Sequence, residues 1–392
     1  MRIGVNSLFL IPGEVGGTET YLRELTRSLV EGFPQDRYVI FCNRENFRYF
    51  DGLGAQVEKA PCPVNARFRP GRILYEQFFL PSAVAERRID VLWSAGYTMP
   101  CRASCANVVT IHDLQHRHFP EDFSRPELWA TRALVQMSCC RADHILTASE
   151  ASAEDIVRLG RVPRERVTAA HYGVATDFFE RIEAPHLDSI LKELGVERPF
   201  ILTVANSYPH KNLDRLARAF GLMEERTSCS LVIVGLPRRG EPVLQSECRA
   251  LRDPKRILRL DRVSRQALRV LYQSAELLAF PTLFEGFGLP VIEAMASGTP
   301  VACSRIPCLR EVAGDAAEFF NPRDEREISN VILRLLEDPL RRAELSRKGQ
   351  ARAREFSWEK TALATHEVLA QAAIRRQHDE FCFGKGIRKC SR

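Results

Sequence analysis

The feature that most constrains this chain is an alternation of short apolar runs with longer amphipathic stretches. Runs such as Val91–Trp93 and His144–Thr147 are typical of buried strands, and stretches such as Thr18–Val30 and Glu127–Cys139 are typical of helices. Buried strands separated by helices predict a parallel sheet with helices on both faces. The fold class predicted for this part of the chain is therefore α/β.

The same alternation pauses at Thr176–Pro199, where prolines and charges interrupt it, and restarts with the apolar run Phe200–Val204. We therefore predict two Rossmann-like, doubly wound parallel-sheet domains, residues 1–180 and 196–358. The strand carboxyl ends and helix N-termini of such domains are expected to face a cleft, which is a natural small-molecule site.

The distribution of net charge indicates which classes of binding partner to expect. The formal charge of +6 comes from 56 basic and 50 acidic residues, and residues 375–392 alone hold six basic and two acidic residues. The rest of the chain is close to neutral, which argues against a large nucleic-acid-binding face. The basic tail, residues 379–392, is a candidate for weak contact with an anionic membrane. The alternative is an inert tail.

Cysteine spacing and hydropathy indicate the compartment. The twelve cysteines lack zinc-ribbon spacing, and Met1–Leu10 lacks the organisation of a signal peptide. No uncharged apolar run reaches the ~18–20 residues that a membrane-spanning helix needs. We expect a cytoplasmic protein with reduced thiols, soluble or at most peripheral to the cytosolic face of a membrane.

The histidines His112, His116 and His118 could suggest a metal site. Spacing places no further ligand beside them, and no Asp-x-Asp occurs in the chain. We therefore predict no metal site.

The most informative segment is Phe280–Pro300. An apolar strand ends near Pro281, a loop with Gly286 and Gly288 follows, and Pro290 suits the first turn of a helix. Small residues let backbone N–H groups approach a ligand, and a helix N-terminus attracts anions. Glu285 precedes this loop and Glu293 is expected in the first helical turn after it. Carboxylates beside an anion site suit the hydroxyl groups of a sugar or ribose.

With Glu285 and Glu293 eight residues apart, the segment resembles the E-x7-E motif of retaining glycosyltransferases with the GT-B architecture, family 4 (group 1). The resemblance extends over nearly the whole chain and is nearest to bacterial mannosyltransferases of surface polysaccharide assembly. It also implies that a C-terminal helix, residues 359–378, crosses back to the N-terminal domain. The other matching stretches are Gly16–Tyr21, Ile111–Gln115, Ala142–Ser149, Tyr172–Val174, Pro209–Leu213 and Phe356–Trp358.

The resemblance implies three catalytic residues. Lys211 would neutralise the donor diphosphate as the nucleotide leaves, Glu285 would hold the hydroxyls of the sugar, and His112 would contact the sugar near O6. No general base in the protein is expected, because the leaving phosphate is thought to deprotonate the acceptor. The implied donor-binding residues are Gly16, Gly17, Asn206, Gly235, Arg238, Arg239, Gly286, Phe287, Gly288, Leu289 and Glu293.

The chain departs from the family pattern beside the lysine. Asn206 lies where an arginine is frequent, and His210 replaces the arginine commonly adjacent to Lys211. Arg238 or Arg239 is a candidate to supply the missing positive charge.

The predicted activity is metal-independent, retaining transfer of a hexose from a nucleotide-diphosphate sugar. Mannose is favoured, the donor is a GDP- or UDP-hexose, and no other cofactor is expected. The acceptor is predicted to be a glycan, a lipid-linked molecule or a small molecule. The alternatives are a non-hydrolysing sugar-nucleotide 2-epimerase and a catalytically silent sugar-nucleotide-binding protein. A dinucleotide-dependent dehydrogenase is disfavoured, because no G-x-G-x-x-G follows the first strand.

Overall fold

The computed structural model describes residues 1–14 and 16–384, with side chains of the last helix described as far as His378. It divides into two compact units. The first unit comprises residues 1–114, 126–173 and the segment from Trp358 onward, and the second comprises residues 115–125 and 174–357.

The described strands of the first unit form one parallel sheet in the order β3-β2-β1-β4-β5-β6-β7. This order reverses direction between β1 and β4, as in a doubly wound sheet. Most of its central residues are fully buried, which agrees with their continuous apolar character. The strands are β1 Arg2–Asn6, β2 Arg37–Cys42, β3 Val57–Pro61, β4 Val91–Ser94, β5 Ala106–Thr110, β6 His144–Thr147 and β7 Val167–Ala169.

The second unit repeats this plan with the strands that the structure describes there. Its sheet is parallel, in the order β10-β9-β8-β11-β12-β13, with the reversal between β8 and β11. The strands are β8 Phe200–Val204, β9 Ser230–Val234, β10 Ile257–Leu260, β11 Leu277–Phe280, β12 Val301–Ser304 and β13 Glu318–Phe320.

Helices connect the strands in both units. They are α1 Gly17–Gly32, α2 Arg69–Phe78, α3 Leu80–Glu86, α4 Gln115–His118, α5 Arg125–Arg141, α6 Glu150–Gly160, α7 Ala184–Leu194, α8 Leu213–Gly221, α9 Glu241–Arg249, α10 Arg265–Ser274, α11 Leu289–Ala296, α12 Pro307–Ala313, α13 Glu325–Glu337, α14 Pro339–Ala353 and α15 Trp358–Gly384.

The fold class is as predicted, but the domain limits differ in several places. Trp358, predicted in the second domain, belongs to the first unit. Residues 115–125, predicted in the N-terminal domain, belong to the second unit, because Asp122 and Phe119 pack on His210 there. Residues 174–180 also belong to the second unit, and Arg265 pairs with Asp177.

The chain also forms helix where the sequence analysis expected a pause or a tail. Helix α7 lies inside Thr176–Pro199, with its proline at the N-terminal turn, where no backbone N–H is needed. Helix α15 continues six residues beyond its predicted end. It belongs to the first unit, where His366 hydrogen-bonds Asp36 at 2.7 Å. The predicted membrane contact of the tail falls on residues whose side chains lie outside the described part.

Candidate active site

Lys211 and Glu285 meet at the reversal point of the second sheet. Lys211 lies in the loop after β8 and Glu285 in the loop after β11, and these two strands are neighbours. Lys211 Nζ lies 2.6 Å from Glu285 Oε1, and the two side chains are 19% and 11% exposed. The carboxyl ends of adjacent strands at a reversal point are where α/β sheets bind ligands. This partly buried ion pair therefore stands at the expected edge of the sheet.

Asn212 holds the loops of Lys211 and Glu285 together. Its backbone is left-handed, with φ of 60°. Its buried side-chain Nδ2 donates to the carbonyls of Pro281 at 2.9 Å and Pro322 at 2.7 Å. Asparagine tolerates this conformation better than most residues. Sequence reasoning included Asn212 in a motif but missed this structural role, for which an asparagine at a loop–helix junction is the signal.

The glycine loop after Glu285 leads directly into α11. Gly288 has φ of +93° and caps the helix, which begins at Leu289, and a Cβ there would lie 2.6 Å from Leu309 Cδ2. The Phe287 ring is buried, and its carbonyl accepts a hydrogen bond from Cys308 Sγ. The positive φ therefore favours glycine at position 288. Gly286 lies between Glu285 and these residues.

Glu293 lies in the second turn of α11, and its predicted place in the first turn was wrong. The helix begins at Leu289, so Glu293 is its fifth residue. The Tyr272 hydroxyl donates to Glu293 Oε2 at 3.0 Å. Burial and the carboxylate raise the pKa of Tyr272 well above its usual range, so the hydroxyl stays protonated. Sequence reasoning missed Tyr272, because it lies on the core-facing side of an ordinary amphipathic helix.

Gly235 and Asn206 join the loops after β8 and β9. Gly235 has φ of +146°, and a Cβ at this position would collide with the carbonyl oxygen of Ala205. Asn206 Oδ1 accepts a hydrogen bond from the Leu236 amide at 2.8 Å. The structure therefore gives both residues a part in the close packing of these two loops.

Arg238 and Arg239 have different surroundings. The Arg238 amide donates to Ser207 Oγ at 2.7 Å, and its guanidinium lies 5.9 Å from the centre of the Tyr208 ring. Arg239, together with Arg215, lines a cavity of about 340 Å³ in the second unit. Neither Lys211 nor Glu285 lines this cavity.

Gly16 and Gly17 mark the start of α1 in the first unit. Gly16 has φ of +62° and precedes the first helical residue, Gly17. A Cβ on Gly16 would meet nothing within 4 Å. Conformation, not lack of space, therefore favours glycine at position 16.

His112 lies just after β5 and is buried in the first unit. Its Nε2 donates to the carbonyl of Ala95 at 3.0 Å, and its Nδ1 accepts from the hydroxyl of Tyr172. Burial lowers the pKa of His112 to about 4, so the imidazole is neutral near pH 7. Sequence reasoning included Tyr172 in a matching stretch but missed this pairing.

The described residues offer neither a metal centre nor a membrane span. Among them, no group of three or more histidine, cysteine or acidic side chains is arranged to hold a metal ion. His116 is buried, and the ring of His118 stacks on Phe284 with centroids 4.8 Å apart. Within the same part of the chain, no helix is both long and apolar enough to span a membrane.

Two doubly wound parallel sheets, with a lysine–glutamate pair at the strand ends of the second, are typical of glycosyltransferases with the GT-B fold. Residues 15–178 match the family described as Glycosyltransferase Family 4, and residues 190–352 match Glycosyl transferases group 1. The chain belongs to this family of glycosyltransferases.

Individual relatives agree with this assignment. The chain is 33% identical to the O-antigen chain mannosyltransferase B of Escherichia coli, over 66% of this chain and 68% of that protein. It is 28% identical to the O-antigen chain mannosyltransferase RfbU of Salmonella typhimurium, over 75% and 80% of the two chains. The structure of HepE from Anabaena, in complex with UDP and glucose, matches with a TM-score of 0.75 at 18% identity, over 95% of this chain and all of HepE.

Proposed function

We propose that this protein is a retaining, metal-independent hexosyltransferase that uses a nucleotide-diphosphate sugar. The observation that carries the proposal is the Lys211–Glu285 pair at the ends of adjacent strands in the second unit. Membership of the glycosyltransferase family supports transfer over the epimerase and silent-binder alternatives.

Lys211 and Glu285 take complementary roles in the proposed reaction. The bond between the sugar C1 and the diphosphate oxygen breaks, and negative charge grows on the diphosphate. The Lys211 ammonium stabilises that charge in a site with little exposure to water. Glu285 orients the ammonium and accepts hydrogen bonds from sugar hydroxyls.

The acceptor bonds to C1 on the face that the diphosphate leaves. The acceptor proton passes to an oxygen of the leaving phosphate, so the reaction needs no protein base. We propose that His112 contacts the sugar as a neutral imidazole, exchanging its hydrogen bond with Tyr172 for one to the substrate. Burial, which lowers the pKa of His112 to about 4, supports the neutral form.

Donor phosphate and ribose are proposed to bind the loops already described. Gly16 and Gly17 would flank the diphosphate, and the loop from Gly286 to Leu289 offers backbone N–H groups at the start of α11. Glu293 would bind the ribose, with its carboxylate oriented by Tyr272.

Arg238 is the stronger candidate to supply positive charge beside Asn206. Its backbone hydrogen bond to Ser207 ties it to the loop that contains Asn206, and its Nε is buried without a partner among the described residues. Arg239 lines the neighbouring cavity and is the second candidate.

The donor is proposed to be GDP-mannose, with UDP-hexoses as the alternative. The named activities of the two O-antigen mannosyltransferases support mannose. UDP-hexoses remain the alternative donors because HepE forms a complex with UDP and glucose.

We propose a lipid-linked glycan as acceptor, met at the cytosolic face of a membrane. Ten described cysteines are free thiols, which suits a reducing compartment. Helix α2 of the first unit exposes Phe78, and Phe68 and Phe79 beside its ends are also exposed. Arg67 and Arg69 flank Phe68 in the sequence and form ion pairs with Glu14 and Glu127. Trp129 on α5 is 72% exposed. Aromatic and basic side chains together suit an anionic membrane surface.

The test is transfer of radiolabelled sugar from GDP-mannose, UDP-glucose and other nucleotide sugars, with and without a metal chelator. Lys211→Ala and Glu285→Gln should each lower kcat by about a hundredfold or more, because each removes transition-state stabilisation. The linkage of the product should keep the anomeric configuration of the donor.

Lys348→Ala is the matched control. Lys348 forms an ion pair with Asp315 on the surface of the same unit, and its loss should leave kcat unchanged. Near-normal turnover by folded Lys211→Ala or Glu285→Gln would overturn the site. An inverted product or abolition by the chelator would overturn the proposed mechanism.

A further inference from the structure

Residues 115–125 leave the first unit and pack as part of the second. The segment contains the short helix α4 and a single helical turn at Pro120–Asp122. It begins three residues after His112, which stays in the first unit. It therefore joins the proposed sugar contact covalently to the unit that holds Lys211 and Glu285.

The carboxylate of Asp122 fixes this segment in place. Asp122 is 4% exposed, and its Oδ2 accepts hydrogen bonds from His210 Nδ1 at 2.5 Å and from Gln115 Nε2 at 2.6 Å. Its Oδ1 is buried and has no partner among the described residues. Burying a carboxylate costs free energy unless the group is paired. Removal of either hydrogen-bond donor should therefore strongly destabilise the packing of this segment.

His210 transmits this constraint to both catalytic loops. It immediately precedes Lys211, and its carbonyl accepts hydrogen bonds from the Leu283 amide at 2.7 Å and the Thr282 hydroxyl at 3.2 Å. The same histidine therefore anchors the loop of Lys211 and the loop that leads to Glu285.

The aromatic side chains of the segment reach the second loop directly. The ring of His118 stacks on Phe284, which immediately precedes Glu285, and Phe119 lies 6.0 Å from the same ring. Residues 115–125 thus pack on the immediate neighbours of both Lys211 and Glu285.

We propose that Gln115, Asp122 and His210, here called the Asp122 clamp, are positioning residues for sugar transfer. The clamp holds Lys211 and Glu285 in the geometry that stabilises the leaving diphosphate. This inference rests on the proposed function and adds residues that the family motif does not assign to the reaction. It also assigns a role to His210, the histidine that replaces the usual arginine beside Lys211.

The experiment measures kcat, donor KM and melting temperature for Asp122→Ala, His210→Ala and the double variant in the full-length protein. Each single change should lower kcat about tenfold or more with a smaller change in KM, because a charged hydrogen bond in the clamp is lost. The double variant should be no worse than the more damaging single variant, because both remove the same interaction.

Conservative variants separate positioning from folding. His210→Asn places an amide nitrogen near the position of Nδ1 and should retain kcat within about threefold of wild type, whereas His210→Ala should not. Asp122→Asn keeps the shape of the side chain and replaces Asp122→Ala if that variant does not fold. Equal kcat in wild type, His210→Ala and Asp122→Asn would overturn the clamp.

The control is a similar pair remote from the site. His366 hydrogen-bonds the buried carboxylate of Asp36 in the first unit. Asp36→Asn and His366→Ala should lower the melting temperature and leave kcat unchanged. If the clamp variants behave in the same way, the clamp serves stability alone and the proposal is wrong.

The outcomes also separate this inference from the proposed function. Wild-type protein that transfers no sugar from any nucleotide tested would refute the proposed function. Active wild type, inactive Lys211→Ala and fully active clamp variants would refute the clamp alone.

Discussion

At the scale of single residues, His112 makes stability depend on pH. The imidazole is buried, and burial lowers its pKa from 6.5 to about 4. The unfolded chain therefore binds a proton between these values that the folded protein does not. The contribution of His112 to the free energy of unfolding is therefore full above pH 6.5. It is lost as the pH is lowered towards 4.

We expect His112 to account for a loss on the order of 3 kcal/mol in the free energy of unfolding between pH 6.5 and 4. Chemical denaturation of wild type and His112→Gln at several pH values measures it. The variant should show a shallower decline, whatever its stability at pH 7. Parallel declines in the two proteins would mean that His112 is not held neutral by burial.

At the scale of secondary-structure elements, helix α2 is the most informative for partner binding. Phe78 on this helix is 71% exposed and Trp129 on α5 is 72% exposed. An ion pair between Arg69 and Glu127, at 2.5 Å, joins the starts of these two helices. The exposed rings therefore belong to neighbouring elements of one unit.

The proposed membrane contact predicts that Phe78→Ser and Trp129→Ser each reduce binding to vesicles that contain anionic lipid, by about fivefold or more, because less apolar surface enters the interface. Cosedimentation measures the bound fraction. Leu340→Ser is the control, since Leu340 is 84% exposed but lies on α14 of the second unit. Equal loss in all three variants, or no binding by wild type, would exclude α2 and α5 as the membrane contact.

The secondary-structure elements also show which parts of the fold could be predicted from the sequence. Largely buried strands such as Phe200–Val204 and His144–Thr147 were predicted with their observed bounds, because short, continuous apolar runs are typical of strands that are covered on both faces. Strands β3, β7 and β13 were missed, since all three are partly exposed and lack that signal. Helix α7 was missed because its proline was interpreted as a break.

In the candidate site too, residues that belong to local motifs were predicted, and residues defined by tertiary contacts were not. Lys211 and Glu285 were identified from motifs, and their loops meet because β8 and β11 are neighbours. Asp122, Tyr172 and Tyr272 were not selected as site residues. Their partners lie 88, 60 and 21 positions away along the chain, and no local pattern indicates such a pairing. Their importance depends on tertiary contacts that a single sequence does not reveal.

At the scale of the whole molecule, each unit is assembled from separate parts of the chain. The sheet of the second unit lies entirely within residues 174–357, yet this unit also includes residues 115–125. A fragment of residues 174–357 would leave His210 without its carboxylate partner.

We expect the fragment 174–357 to gain several degrees in melting temperature when a peptide of residues 115–125 is present in excess, because binding stabilises the folded form. The same peptide with Asp122→Ala is the matched control and should have little effect. Calorimetry or dye-based melting measures the shift. Equal shifts from both peptides would show that Asp122 does not anchor the segment.

The position of α15 has a consequence for synthesis on the ribosome. Asp36 is made early, but its partner His366 follows 330 residues later. The first unit therefore remains incomplete while residues 174–357 of the second unit are translated, and the surface of α1 that α15 covers stays open during that time. Exposed apolar surface on a nascent chain favours aggregation. Production of this protein should consequently depend on translation speed and chaperone supply more than its final stability suggests.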